Sequence, residues 1–149
     1  MKIQIKTFDE LTVPELYDIL NLRNLVFVVE QDCPYLDTDG TDNRAHHIAL
    51  YNGEELAAYA RIFRPGIKYP AASIGRVVVN PKHRGTHLGH VLMEQAVKAV
   101  KDLYHTGTIS ISAQAHLQRF YTKHGFETVS EEYMEDNIPH VEMIRKKEL

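Results

Sequence analysis

The sequence predicts a mixed α/β layer fold. Two observations carry this. Segments that alternate apolar and polar residues at period 2 interleave with segments whose apolar residues recur at helical spacing. Apolar residues also make up 44% of the 149, enough to fill one core and too many for a disordered chain. The length fits a single domain, since domains run to roughly 100–200 residues.

Ile3, Ile5 and Thr7 alternate with polar neighbours and predict a half-buried strand. Thr12 then caps a helix, with Glu15 at capping-box spacing and Pro14 in the first turn, where its missing N–H costs little. Leu16, Ile19, Leu20, Arg23, Val26 and Phe27 continue that helix until it fades near Glu30. Gln31 to Arg44 reads as loop. Ala45–Tyr51 and Glu54–Arg64 flank Asn52-Gly53, a strong hairpin signal. After a loop carrying Pro65, Gly66 and Pro70, Ser73–Asn80 (SIGRVVVN) forms a strand whose three valines imply cover on both faces. Leu88, Val91, Leu92, Ala96, Ala99 and Leu103 mark a long amphipathic helix that Gly107 ends. Thr108–Ala113 predicts another strand, and Leu117–Lys123 a short helix closed by Gly125. Two last strands, Phe126–Glu132 and His140–Lys146, flank the polar stretch EDNIP.

Composition excludes several classes. Net charge is −3 and tryptophan is absent, which argues against a basic, aromatic nucleic-acid surface. No apolar run approaches the roughly 18 residues of a membrane span, and the N-terminus lacks a signal-peptide core, so a cytoplasmic location is expected. One cysteine, Cys33, rules out an internal disulfide and a cysteine-based zinc site. Cys33 also lacks a basic neighbourhood that would make it a nucleophile; Glu30, Asp32 and Asp37 are close in sequence. No metal is expected, because His83, His87 and His90 lack a completing carboxylate. Asp37–Asp42 resembles a calcium loop but has glycine at the fourth place and Ile48 where the closing Glu belongs. That acid cluster either attracts a cationic amine or simply solvates a loop.

The chemistry concentrates in VVVNPKHRGTHLGHVL, Val77 to Leu92. A buried strand runs into a tight loop holding Arg84, Gly85 and Gly89, which opens into the long helix. A helix start carries unpaired N–H groups and the positive end of the macrodipole, and glycine lets backbone approach a ligand. Together they form an anion seat suited to a pyrophosphate. The loop matches neither the P-loop nor the dinucleotide fingerprint.

Arg84-Gly85-Thr86-His87-Leu88-Gly89 resembles the Arg/Gln-x-x-Gly-x-Gly/Ala signature of the GNAT superfamily of N-acetyltransferases. In QAHLQRFYTKHGF, Tyr121 and Gly125-Phe126 match a second region of that family, while Gln114 stands for its usual Asn and Leu117 for its usual Ala. NLRNLVFVVEQDCPYLDTDGTD, IGRVVV and YMEDNIPHVEM are similar to its ElaA-like branch, so the likeness spans nearly the whole chain. His87 replaces the signature's middle glycine, where a side chain calls for a negative φ.

This resemblance implies a mostly antiparallel sheet with helices on both faces and splayed central strands. It implies acetyl transfer from acetyl-CoA to a primary amine by direct attack. The amides of Gly85, Thr86, His87, Leu88 and Gly89 would bind the pyrophosphate, assisted by Arg84. Val77, Val78 and Val79 would pair with the pantetheine arm, Gln114 would line the cofactor, and Tyr121 would be the acid that meets the thiolate. No carboxylate lies on the strand before the loop, leaving His46, His47, Glu30, His140 and Glu142 as candidate bases, directly or through water. His140 and Glu142, two apart on the last strand, are favoured. Arg76, in mid-strand, would order the acceptor site, with Glu30, Asp37 or Glu142 as its partner. A homodimer is expected to be possible. The competing reading is a non-catalytic acetyl-CoA-binding sensor or scaffold module, which the missing strand carboxylate would fit.

Overall fold

Strand pairing organises the molecule around one eight-stranded sheet. The structure is a computed structural model and describes residues 1–146. In chain order, β1 is Lys2–Thr7, α1 Val13–Arg23, β2 His46–Asn52, β3 Glu55–Phe63 and β4 Ala72–Val79. Then follow α2 Leu88–Tyr104, β5 Thr108–Gln114, α3 Gln118–Thr122, β6 Glu127–Thr128, β7 Tyr133–Glu135 and β8 Ile138–Lys146. The order across the sheet is β1-β2-β3-β4-β5-β8-β6, with β7 also paired to β8.

The capping box forms as the spacing predicts. Thr12 N donates to Glu15 Oε1 at 2.8 Å, and Glu15 N donates to Thr12 Oγ1 at 3.2 Å. Beyond Arg23 the helix widens into a π-helical segment, Asn24–Glu30. There Gln31 N reaches back five residues to Val26 O, and Cys33 N to Val28 O.

Two apolar layers sandwich the sheet. Ile19, Leu22 and Val26 pack on Ala49, Tyr59 and Val78 on one face, and Leu92, Met93, Ala96 and Val100 of α2 pack on the other. The valines of β4 divide accordingly: Val78 faces α1, while Val77 and Val79 abut the α2 cluster.

Three boundaries differ from expectation. The long helix ends at His105, which takes the left-handed conformation (φ 56°), two residues before Gly107. Its amide still closes the last turn on Lys101 O at 3.0 Å. The expected strand Phe126–Glu132 shrinks to β6, and β7 begins just beyond its expected end. The stretch EDNIP is a tight hairpin, with Asp136 and Asn137 at φ 51° and 64°, the signature of a type I′ turn, and Glu135 paired with Ile138.

The feature that shapes the site is a break in β4. Its pairing with β3 skips a residue, from Tyr59↔Val78 to Arg61↔Gly75. This bulge centres on Arg76, which sits at φ 51°. The parallel contact with β5 exists only at Ala72↔Ile109 and Ser73↔Ser110. From the bulge onward the two central strands diverge.

Candidate active site

Backbone hydrogen bonding locates the anion seat first. The amides of residues 85–89 donate to no acceptor among the described residues; the first inward bonds of the helix are His90 N and Val91 N to His87 O. Gly85 has φ +81°, a conformation that favours glycine. His87 has φ +60° and ψ 15°. The expected negative φ is therefore corrected: the loop's geometry demands a left-handed residue there, and a histidine bears it. Alternating hands along the loop let successive N–H groups converge, as in an anion nest. Gly89 is under no such demand. A methyl there would lie 3.5 Å from the Phe120 ring, ordinary contact distance, so neither packing nor a left-handed backbone demands glycine at that position. Arg84 binds Glu30 through two hydrogen bonds of 2.7 and 2.8 Å, which ties the loop to the π-helical segment.

From that seat the seam between β4 and β5 leads into a cleft. Val77 and Arg76 form one wall, Ser112 and Gln114 the other, with Tyr121 and His140 beyond. Gln114 Nε2 donates across to Gln31 Oε1 at 3.3 Å. Tyr121 is 8% exposed, and burial pushes its hydroxyl up to about 12. That hydroxyl forms no hydrogen bond among the described residues.

Of the five candidate bases, His140 is the one that lines the cleft. Its ring stacks on Tyr133, its Nδ1 donates to Ile138 O at 2.7 Å, and its Nε2 lies 3.4 Å from Glu135 Oε2. The Nδ1 bond leaves Nε2 as the proton acceptor of the neutral ring. Glu142 is not brought to the cleft. Its charge reaches Tyr69, whose hydroxyl is pushed up to about 12 by burial first and then by Tyr133 and Glu142. His47 is buried against Tyr59, His46 bonds Tyr104, and Glu30 is held by Arg84.

Arg76 finds Asp37. Its Nη2 donates to Asp37 O at 2.8 Å, and its Nε lies 2.8 Å from Asp37 Oδ1, an ion pair by distance without an aligned N–H. Being on a bulge, it is partly exposed and not, as mid-strand placement suggested, fully enclosed. The acid loop neither solvates freely nor stands open to a ligand. Asp37 and Asp42 bind Arg23; Asp39 and Asp42 bind Arg61; Lys68 also holds Asp39.

Sequence reasoning passed over the cleft carboxylates Glu135 and Asp136; it named Asp37 only as a partner for Arg76 and set Cys33 aside as a nucleophile. Cys33 Sγ–H donates to Asp136 O at 2.9 Å and so joins the loop after the π-helical segment to the hairpin. The turn pair Asp136-Asn137 was the available signal for the carboxylates, because both residues tolerate a left-handed turn.

Residues 23–147 match the family model described as an acetyltransferase (GNAT) domain. The chain belongs to the GNAT family. The protein ElaA of Escherichia coli is 44% identical over 141 residues, which cover 92% of this chain and 91% of that one. The crystal structure of ElaA superposes with a TM-score of 0.91 at 41% identity, over 97% of this chain and 99% of that one. An acyl-CoA N-acyltransferase from Pseudomonas aeruginosa does so with a TM-score of 0.92 at 44% identity, over 97% and 98%. An aminoglycoside 6'-N-acetyltransferase complexed with coenzyme A shares the GNAT fold at 17% identity, TM-score 0.69, over 95% and 96%. Family and neighbours together support acyl-CoA N-acyltransferase activity. Among the described residues no helix is long and apolar enough to cross a membrane.

Proposed function

We propose that this GNAT chain moves an acetyl group from acetyl-CoA to a primary amine by direct attack. The observation that carries the reading is continuity. The unpaired amides at 85–89 follow in the chain the β4 edge that parts from β5 after Ser73, and Val77 on that edge lines the cleft together with Tyr121.

The amides of Gly85, Thr86, His87, Leu88 and Gly89 hold the pyrophosphate, and Arg84 helps by exchanging Glu30 for phosphate oxygen. Val77 to Val79 present unpaired strand edge to the pantetheine arm, as a sheet accepts an added strand. Gln114 closes the opposite wall. The acceptor nitrogen, once neutral, attacks the thioester carbon; the C–N bond forms, the C–S bond breaks, and sulfur leaves as thiolate. His140 Nε2 takes the proton that the ammonium sheds on becoming neutral, and the second proton, released from nitrogen as the amide forms, passes through solvent to the thiolate. The base is needed because an amine with pKa near 10.4 is about 0.04% neutral at pH 7.

Tyr121 meets the thiolate. An ordinary thiol titrates near 8.5, whereas this phenol is pushed up to about 12. Complete transfer from Tyr121 to sulfur therefore runs uphill, and Tyr121 serves chiefly by donating a hydrogen bond as charge develops. Arg76 touches no reacting atom; it orders the acceptor wall through Asp37.

Isothermal titration with acetyl-CoA tests the seat, and thiol release with a panel of primary amines tests transfer. Binding with amine-dependent thiol release is expected. Binding with no release for any amine would favour the sensor or scaffold module instead.

A further inference from the structure

An open groove of about 530 Å³ along α2 shares no lining residue with the cleft. Glu94, Lys98 and Lys101 line it from the helix, and Lys123 and Arg145 from the other side. Lys98 is answered by Asp102 at 3.2 Å. Lys101, Lys123 and Arg145 have no carboxylate partner among the described residues, so three cations stand against the one carboxylate of Glu94. Arg145 marks a ligand independently of that count. It is 8% exposed, and the other two buried arginines are neutralised, Arg23 by Asp37 and Asp42, Arg61 by Asp39 and Asp42. Arg145 meets only carbonyls: its Nε donates to His124 O at 3.1 Å and its Nη1 to Gly107 O at 3.2 Å. A guanidinium taken out of water without an anion is costly. Burial lowers the proton affinity of all three arginines; the carboxylates outweigh it at Arg23 and Arg61, whereas at Arg145 it acts alone. Gly125 keeps the guanidinium's place clear, since a Cβ there would lie 3.2 Å from Arg145 Nε.

We propose that this groove binds a phosphate group, as inorganic phosphate or as the ester end of a small molecule, between Arg145, Lys101 and Lys123. Three cations less the Glu94 carboxylate leave two positive charges, which a phosphate dianion balances. The guanidinium fork supplies directed N–H donors, and the two lysines supply point charge. The site is separate from the seat at residues 85–89. Lys101 stands twelve residues beyond Gly89, about 18 Å along the helix axis. His90 and His124, whose rings share a hydrogen bond of 2.9 Å, stand at the end of the groove nearer the loop. The inference does not depend on the acetyl-transfer reading above.

Inorganic phosphate is titrated into the full chain, with and without saturating CoA, at constant ionic strength and with chloride as the control. The Arg145 Nε–H resonance, protected by its bond to His124 O, reports the site. A saturable shift that chloride does not produce is expected, with the same midpoint whether or not CoA is bound. Phosphate should also raise the thermal midpoint of the CoA-loaded protein. The double variant Lys101→Gln/Lys123→Gln is expected to weaken phosphate by about tenfold while leaving CoA binding and unfolding in chloride unchanged. No saturable shift, or equal phosphate affinity in the double variant, would overturn the inference. Phosphate binding that CoA abolishes would overturn it too, because the groove would then belong to the coenzyme's own phosphates.

Discussion

A phenol with its hydroxyl pushed up to about 12 stays protonated throughout any workable assay. Tyr121 therefore contributes no limb to a pH–rate profile between pH 6 and 9, while its removal still costs the hydrogen bond to the leaving sulfur. Tyr121→Phe keeps the ring that packs on Phe120 and Phe126. It is expected to lower kcat by about 10²-fold with little change in the KM for acetyl-CoA, as thiol-release kinetics would show. An unchanged kcat would reduce Tyr121 to a packing residue. His87 offers a separate test of the loop. A side chain in the left-handed region costs roughly 1–2 kcal/mol, of which a glycine recovers part and loses part to its freer unfolded state. His87→Gly should be neutral to about 1 kcal/mol stabilising. His87→Val should destabilise by about 1 kcal/mol or more, since β-branching suits that region worst. Urea unfolding of the pair decides; equal stabilities would mean that the φ of +60° is unimportant.

Local elements were legible where a short-range rule governs them and illegible where distant partners do. Thr12 and Glu15 announce their helix because both halves of the capping box lie within four residues. The β4–β5 opening has no such signature in Ser73–Asn80. At the bulge Arg76 pairs with Asp37, and Asp37 is held by Arg23, fourteen residues away on another element. Likewise, the loop motif located the anion seat, but nothing local showed that Glu30 would occupy Arg84 or that the charge of Glu142 would reach Tyr69 and Tyr133. The acid loop is the clearest case. Read alone, Asp37, Asp39 and Asp42 look solvated; in the fold, the buried Arg23 and Arg61 bind them to α1 and β3. Removing one side of a buried ion pair costs about 3–5 kcal/mol. Arg23→Ala is expected to lose about that much, because Asp37 and Asp42 are stranded together. Urea midpoints check this, and a loss below about 1 kcal/mol would show that the arginine is no anchor.

Stability of the whole molecule against acid follows from the groups whose affinity for protons the fold lowers. Burial depresses His47, with Arg23 and Arg61 adding to it against the Asp42 carbonyl and charge; burial also depresses His46 and His124. Among the carboxylates, burial opposes ionisation but is outweighed. The Thr12 amide and Lys6 bring Glu15 down to about 2, Arg61 lowers Asp39, and Arg23 and Arg61 lower Asp42. Each group has a folded-state pKa below its unfolded value. Each thus contributes stability that is complete above the unfolded pKa and lost as pH falls through the folded one. Histidines begin that loss near pH 6.5 and carboxylates near pH 4, so two successive declines are expected. His47 dominates the first, because both ring nitrogens are engaged, one with Tyr59 Oη at 2.6 Å and the other with Asp42 O at 2.9 Å. With the Asp42 carbonyl bond fixing a proton on Nε2, protonation of Nδ1 turns an acceptor into a donor and forces the Tyr59 hydroxyl to reorient in a closed space. Urea unfolding at half-unit steps from pH 8 to pH 3 should trace both declines, and His47→Asn should flatten the upper one while leaving the lower. A wild-type curve level down to pH 4.5 would mean that the buried histidine network exerts no control over the fold.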